Sequence, residues 1–120
     1  VDDIGTNRLV AASYLRQLGC FPYEVNGGPQ ALEKLQEDDS FDLILLDINM
    51  PRMDGIETLN RIRALPGNRA KVPIIAMTAD ASDRDRERYL EAGMDGYVAK
   101  PIDIDALERE MVKLATSTSQ

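Results

Sequence analysis

Residues 41–55 read FDLILLDINMPRMDG. The run Leu43-Ile44-Leu45-Leu46 is apolar at every position. Both of its faces must therefore be covered, which is the condition of a central strand in a parallel sheet. The strand, expected over Phe41 to Leu46, stops on an acid, Asp47. Farther on, Asp54 followed three residues later by Glu57 has the form of a capping box, so a helix is expected to start there. A doubly buried strand that ends on a carboxylate and leads into a capped helix is one β–α unit, and the rest of the chain can be read outward from it.

Upstream, a first helix is expected from about Asn7 to Leu18, with Val10, Tyr14 and Leu18 on one face and Gly19 as its terminating glycine. A short strand near Phe21 to Val25 follows. Gly27-Gly28 then turns the chain, and Pro29 opens a second helix that buries Ala31, Leu32 and Leu35. Downstream, the third helix turns Ile56, Leu59 and Ile62 inward, and Pro66-Gly67-Asn68 reads as a loop. Val72 to Met77 is the next strand. Ser82 with Asp85 starts a fourth helix that ends at Gly93. Tyr97-Val98-Ala99 is a last short strand, and a fifth helix carries Leu107, Met111 and Leu114. Strands alternating with amphipathic helices predict a parallel sheet covered on both faces.

The fold class is therefore α/β, a flavodoxin-like doubly wound parallel sheet of strand order 2-1-3-4-5. One element is short. Only Val1 precedes Asp2-Asp3, so the first strand, internal in this order, is expected to be truncated, leaving unpaired edges on its neighbours. Residues 1–115 are expected to form one domain and 116–120 a frayed tail or linker.

The chain has 120 residues, 14 basic and 21 acidic, for a net charge of −7. That balance argues against direct nucleic-acid binding and against contact with an anionic membrane. No apolar run approaches the ~18 residues of a membrane span, and the start VDDIG shows no signal peptide. The single cysteine, Cys20, rules out an internal disulfide and reads as a small buried hydrophobe; a reducing cytoplasm is the expected location. The chain contains no histidine. Ser-His-Asp, Cys-His and His-metal chemistries are excluded, and any phosphohistidine must come from a partner.

Ligands of open parallel sheets bind at the carboxyl ends of the strands. The polar residues at those ends are Asp2 and Asp3, Asp47, Thr78 and Lys100. Carboxylates gathered there repel by about 4 kcal/mol per pair at 4 Å and an effective dielectric of 20. A hard divalent cation offsets this, and Mg²⁺ accepts a few carboxylates together with waters and phosphate oxygens. Lys100 supplies a point charge for a phosphate and Thr78 a hydroxyl donor. A carboxylate nucleophile, a cation site, a lysine and a hydroxyl are the parts needed to accept a phosphoryl group as an acyl phosphate. Taken singly, each residue has an ordinary structural explanation as a turn, cap or surface residue. Their joint appearance at successive strand ends does not.

With these residues in place, the sequence resembles the response regulator receiver family over nearly its whole length. The matching segments are Val1-Asp2-Asp3, the run from Leu45 to Gly55, Met77-Thr78-Ala79, and Ala92 to Pro101, which contains Gly96-Tyr97-Val98-Ala99-Lys100-Pro101. The resemblance implies that Asp47 is the phosphoacceptor of a two-component phosphorelay. It implies a Mg²⁺ cofactor held by Asp3 directly, by Asp2 through water, by Asp47 and by the backbone carbonyl of Asn49. Lys100 would contact a phosphate oxygen, Thr78 would swing its hydroxyl toward the phosphate, and Tyr97 would rotate inward. The implied partner is a histidine kinase or a histidine phosphotransfer domain, and the resemblance leaves room for a homodimer through the fourth helix, last strand and fifth helix face. Such a domain is a phosphoacceptor switch rather than a turnover enzyme. Asn7 and the Gly93-Met94-Asp95 run resemble receivers fused to hybrid histidine kinases.

Two other readings remain open from the residues alone. A phosphatase of the haloacid dehalogenase type also places an Asp at a strand end, but it needs a second acid two residues on, where this chain has Asn49, an amide that cannot exchange protons. A receiver-like interaction module working without phosphorylation is the other, favoured only by the shortened strand ahead of Asp2 and Asp3.

Overall fold

The computed structural model describes residues 1–38, 40–48, 53–79, 83–100 and 102–118. Asn49, Ser82 and Pro101 lie outside the described residues, so the expectations that fall on them concern positions not described. The elements are α1 (Gly5–Gln17), α2 (Gly28–Glu37), β1 (Ile44–Asp47), α3 (Gly55–Arg63), a 3₁₀ turn (Gly67–Lys71), β2 (Ile74–Thr78), α4 (Asp83–Ala92), β3 (Gly96–Ala99) and α5 (Ile104–Thr118).

The three strands are parallel in the order β1-β2-β3. Ile44 stands opposite Ile74 and Asp47 opposite Met77, while Thr78 stands opposite Ala99. They are the third, fourth and fifth strands of the expected order. β1 and β2 are buried at every position, as strands covered by helices on both faces must be. One core cluster joins Leu46, Leu59, Ile62, Ile74, Ala76 and Tyr89. The other joins Ala11, Leu45, Ile75, Met77, Val98 and Leu107. No helix among the described residues is long and apolar enough to cross a membrane.

The expected strand at Phe21 to Val25 is not part of the ladder; Phe21 is fully exposed and Tyr23 largely so. Its neighbour in the 2-1-3-4-5 order would be the first strand, at whose position lie Val1 and Asp2. Those two residues do take strand positions. The Val1 amine donates to the Leu45 carbonyl at 2.7 Å, and the Val1 carbonyl accepts from the Asp47 N–H at 2.9 Å. This is the hydrogen-bond pattern of a parallel pair. On the other side the Asp2 N–H donates to the Val25 carbonyl at 3.2 Å. Beside them runs an apolar cleft of about 530 Å³, lined by Ala11, Leu15, Val25, Leu35, Leu43 and Leu45 among others.

Helix ends follow the local chemistry. Asp54 caps α3 by accepting from the Glu57 N–H at 2.8 Å. Gly19 and Gly93 follow α1 and α4 with φ of 88° and 115°, the left-handed conformation that ends helices. In α1 Tyr14 and Leu18 pack against the core as expected, but Val10 is exposed and Ala11 and Ala12 are the buried positions. Apolar residues run nearly all round this helix, so periodicity alone did not single out the buried side. α5 continues to Thr118, past the point where a frayed tail was expected.

Candidate phosphoacceptor site

β1 ends on Asp47, whose residue is 1% exposed. Its backbone is held from two directions. The N–H bonds to Val1, and the next residue, Ile48, donates to the Met77 carbonyl at 3.1 Å while accepting from the Gly55 N–H at 2.9 Å. Gly55 is the first residue of α3, and the helix sits so close that a Cβ at this position would lie 2.5 Å from the Asp47 carbonyl oxygen and 2.6 Å from the Ile48 Cα. Glycine is required by this approach of helix to strand end.

Lys100 follows β3, and its N–H bonds to the Thr78 carbonyl at 2.8 Å, extending the ladder by one residue. This brings its ammonium 2.8 Å from Asp47 Oδ1 and 3.6 Å from Asp2 Oδ2. Asp2 is as buried as Asp47. Its Oδ1 accepts from the Ile4 N–H at 2.9 Å, and its carbonyl accepts from Arg8 at 2.7 Å. Oxygens of Asp2, Asp3 and Asp47 all lie within 4.8 Å of one another, with Asp3 on the solvent side. The four sequence-predicted residues Asp2, Asp3, Asp47 and Lys100 are thus brought together.

Among the described residues Asp2 and Asp47 share the Lys100 ammonium and Asp3 adds a third carboxylate, so acidic groups outnumber the paired lysine. The buried Asp2 Oδ2 accepts no hydrogen bond among the described residues. An all-oxygen donor set, over-supplied with charge and open on the Asp3 side, fits a hard divalent cation of the Mg²⁺ type. The buried amine of Val1 borders the same cluster. Loss of hydration lowers its pKa from 8.0 to about 6, against the raising influence of Asp2 and Asp47.

Thr78 ends β2 and is 1% exposed. Its hydroxyl lies 3.1 Å from that of Tyr89 on α4, within hydrogen-bond distance. Tyr97 lies on β3, half-buried against the core cluster that contains Leu46 and Tyr89. The proposed carbonyl ligand of Asn49 falls outside the described residues. Sequence reasoning did not find Tyr89. Its signal was one aromatic in the charged helix DRDRERYLEA, a residue whose ring packs while its polar tip needs a partner.

The model of the response regulator receiver domain matches residues 1–112. The chain belongs to this family. Among curated relatives of this receiver domain, histidine kinase 3 of Arabidopsis thaliana is 35% identical over 138 residues, covering 99% of this chain and 13% of its own length. The sensor histidine kinase RcsC of Salmonella typhi is 37% identical over 115 residues, covering 96% of this chain and 12% of its own length. The receiver therefore spans only about an eighth of these relatives. Among solved structures, the receiver domain of the sensor histidine kinase PA1611 from Pseudomonas aeruginosa is 40% identical. It covers 91% of this chain and 88% of its own, with a TM-score of 0.79, and has a magnesium ion coordinated in its active-site cleft.

Proposed function

We propose that Asp47 accepts a phosphoryl group from the phosphohistidine of a histidine kinase or histidine phosphotransfer domain. The observation that carries this reading is the pairing of the buried Asp47 with Lys100 at 2.8 Å inside a cluster of three carboxylates. A carboxylate oxygen of Asp47 attacks phosphorus as the partner's P–N bond breaks. The bonding pair returns to the imidazole nitrogen, and Asp47 becomes an acyl phosphate. Such a transfer is governed by positioning and charge neutralisation. Asp47 is positioned by the backbone bonds of residues 47 and 48. Lys100 follows its ion-pair partner's charge onto a phosphate oxygen.

Mg²⁺ would be held by Asp3, by Asp2 through water, by Asp47 and by the Asn49 carbonyl, and would supply charge neutralisation. The added phosphate charge, about −1.5 to −2, draws in the Thr78 hydroxyl, and Tyr97 repacks. The surface formed by α4, β3 and α5 then changes its partner preference, including self-association. Leu90 on α4 and Val112 on α5, both exposed, support this surface as an output face. The domain extends through α5, beyond the expected boundary at residue 115, acts as a switch rather than a turnover enzyme, works in the cytoplasm, contacts neither nucleic acid nor membrane, and belongs to a hybrid sensor kinase.

Incubation with a ³²P-labelled histidine phosphotransfer domain tests the reading. Label should move to the chain in Mg²⁺ and fail to move to Asp47→Asn or in excess chelator. Equal labelling of Asp47→Asn would contradict it.

A further inference from the structure

Tyr89 places a hydroxyl within hydrogen-bond distance of the proposed switch hydroxyl, and the reading above does not use it. Its ring is anchored in the main core cluster, it is 4% exposed, and its hydroxyl lies 3.1 Å from Thr78 Oγ1 in a fully buried pair. We propose that Tyr89 is a positioning residue of the switch, whose hydrogen bond with Thr78 opposes recruitment of that hydroxyl by a phosphoryl group on Asp47. This rests on the phosphoacceptor reading and adds to it a residue on α4 that sets the resting-state bias.

The physical argument has three parts. A threonine hydroxyl has a single proton and one side-chain orientation at a time. While it is bonded to Tyr89 its position is fixed, and moving it toward Asp47 breaks or strains that bond. A buried hydroxyl left without its partner is costly, so the resting arrangement is favoured as long as the Tyr89 hydroxyl is present. Finally, Tyr89 belongs to α4, so capture of Thr78 by phosphate changes the restraint on that helix. A direct route from the site to α4 then runs through this hydrogen bond.

Replacing Tyr89 by Phe removes the bond from the resting state and removes from the activated state a hydroxyl that would lose its partner. Both changes favour activation. The test uses beryllofluoride with Mg²⁺ as the phosphoryl mimic. Tyr89→Phe should bind it more tightly by roughly 3- to 10-fold, the factor corresponding to one ordinary hydrogen bond. In a Thr78→Ala background the same substitution should leave affinity unchanged, because the bond is already absent.

A residue with only a packing role would raise affinity in neither background, because phenylalanine keeps the packed ring. Unchanged or weaker binding by Tyr89→Phe, or an equal gain in the Thr78→Ala background, would overturn the proposal. As a second measurement that preserves the hydroxyl, 3-fluorotyrosine at position 89 should shift its ¹⁹F resonance on beryllofluoride binding, and the shift should be lost in Thr78→Ala. An unmoved resonance in the Thr78 protein would also overturn it. Failure of the underlying reading looks different: the unsubstituted protein would then bind beryllofluoride no better than Asp47→Asn, and the proposal would fall with it.

Discussion

At the scale of single residues, the site is a balance of charge in a small buried volume. Asp2 and Asp47 are each 1% exposed, and Lys100 is their shared cation. Removing one partner of a buried ion pair leaves an uncompensated charge. Lys100 keeps about a fifth of its side chain exposed, so solvent screens part of that loss. Lys100→Met, close in volume, should destabilise the metal-free protein by about 1–3 kcal/mol, and Mg²⁺ should recover more stability in the variant than in the parent. Urea titrations with and without Mg²⁺ measure both. Equal Mg²⁺ responses would show that Lys100 and the cation do not act on the same carboxylates. The strand-end positions of Asp47, Thr78 and Lys100 were legible in the sequence because each ends or follows an apolar run. The hydroxyl pair of Thr78 and Tyr89 was not, because nothing in a helix's own pattern says which buried polar tip meets which strand end.

At the scale of elements, the geometry at Asp47 depends on how closely α3 approaches β1. Gly55→Ala would put a methyl carbon within about 2.5 Å of the Asp47 carbonyl oxygen, and backbone atoms on both sides give way poorly. The expected result is a loss of about 1–3 kcal/mol, as for other overpacked sites, together with slower phosphoryl uptake as Asp47 is displaced. Thermal denaturation and transfer kinetics on the same sample check this; full-rate uptake by a destabilised variant would mean that the strand end tolerates the shift. The start of α3 was readable from Asp54 and Glu57, and the structure places that cap as expected. The strand at Phe21 to Val25 was misread because local β propensity needs a partner strand to become a ladder. Arg63 was also missed. It spans Ala70, Val72, Gly93 and Asp95 at 2.7–2.9 Å, tying the end of α3 to the segments that lead into β2 and β3 through contacts that have no sequence periodicity.

At the scale of the whole molecule, β–α alternation and strand-end chemistry were enough to give the fold class and the edge on which the site lies. Pairing within the sheet was only partly legible, because Val1 and Asp2 alone stand between β1 and the segment ending at Val25. That arrangement has a measurable consequence in the 120-residue chain. Burial lowers the Val1 amine from 8.0 to about 6. Between those values the unfolded chain binds more protons than the folded one, so stability should rise with pH from 6 to 8, by an amount on the order of 2–3 kcal/mol. With no histidine in the chain, no imidazole titrates in the same window. Denaturation midpoints in chelator at pH 6, 7 and 8 should climb, and acetylation of the amine should flatten the trend. A flat profile for the unmodified chain would show that the amine stays hydrated.

The central claim concerns a single bond, an acyl phosphate on Asp47. Borohydride reduction of the chain after phosphoryl transfer, followed by peptide mass spectrometry, locates that bond directly. Homoserine at position 47, formed only when Mg²⁺ and the phosphohistidine donor are both present, is the predicted result. Reduction at another residue, or none at 47 in a sample that has taken up phosphate, would contradict the account.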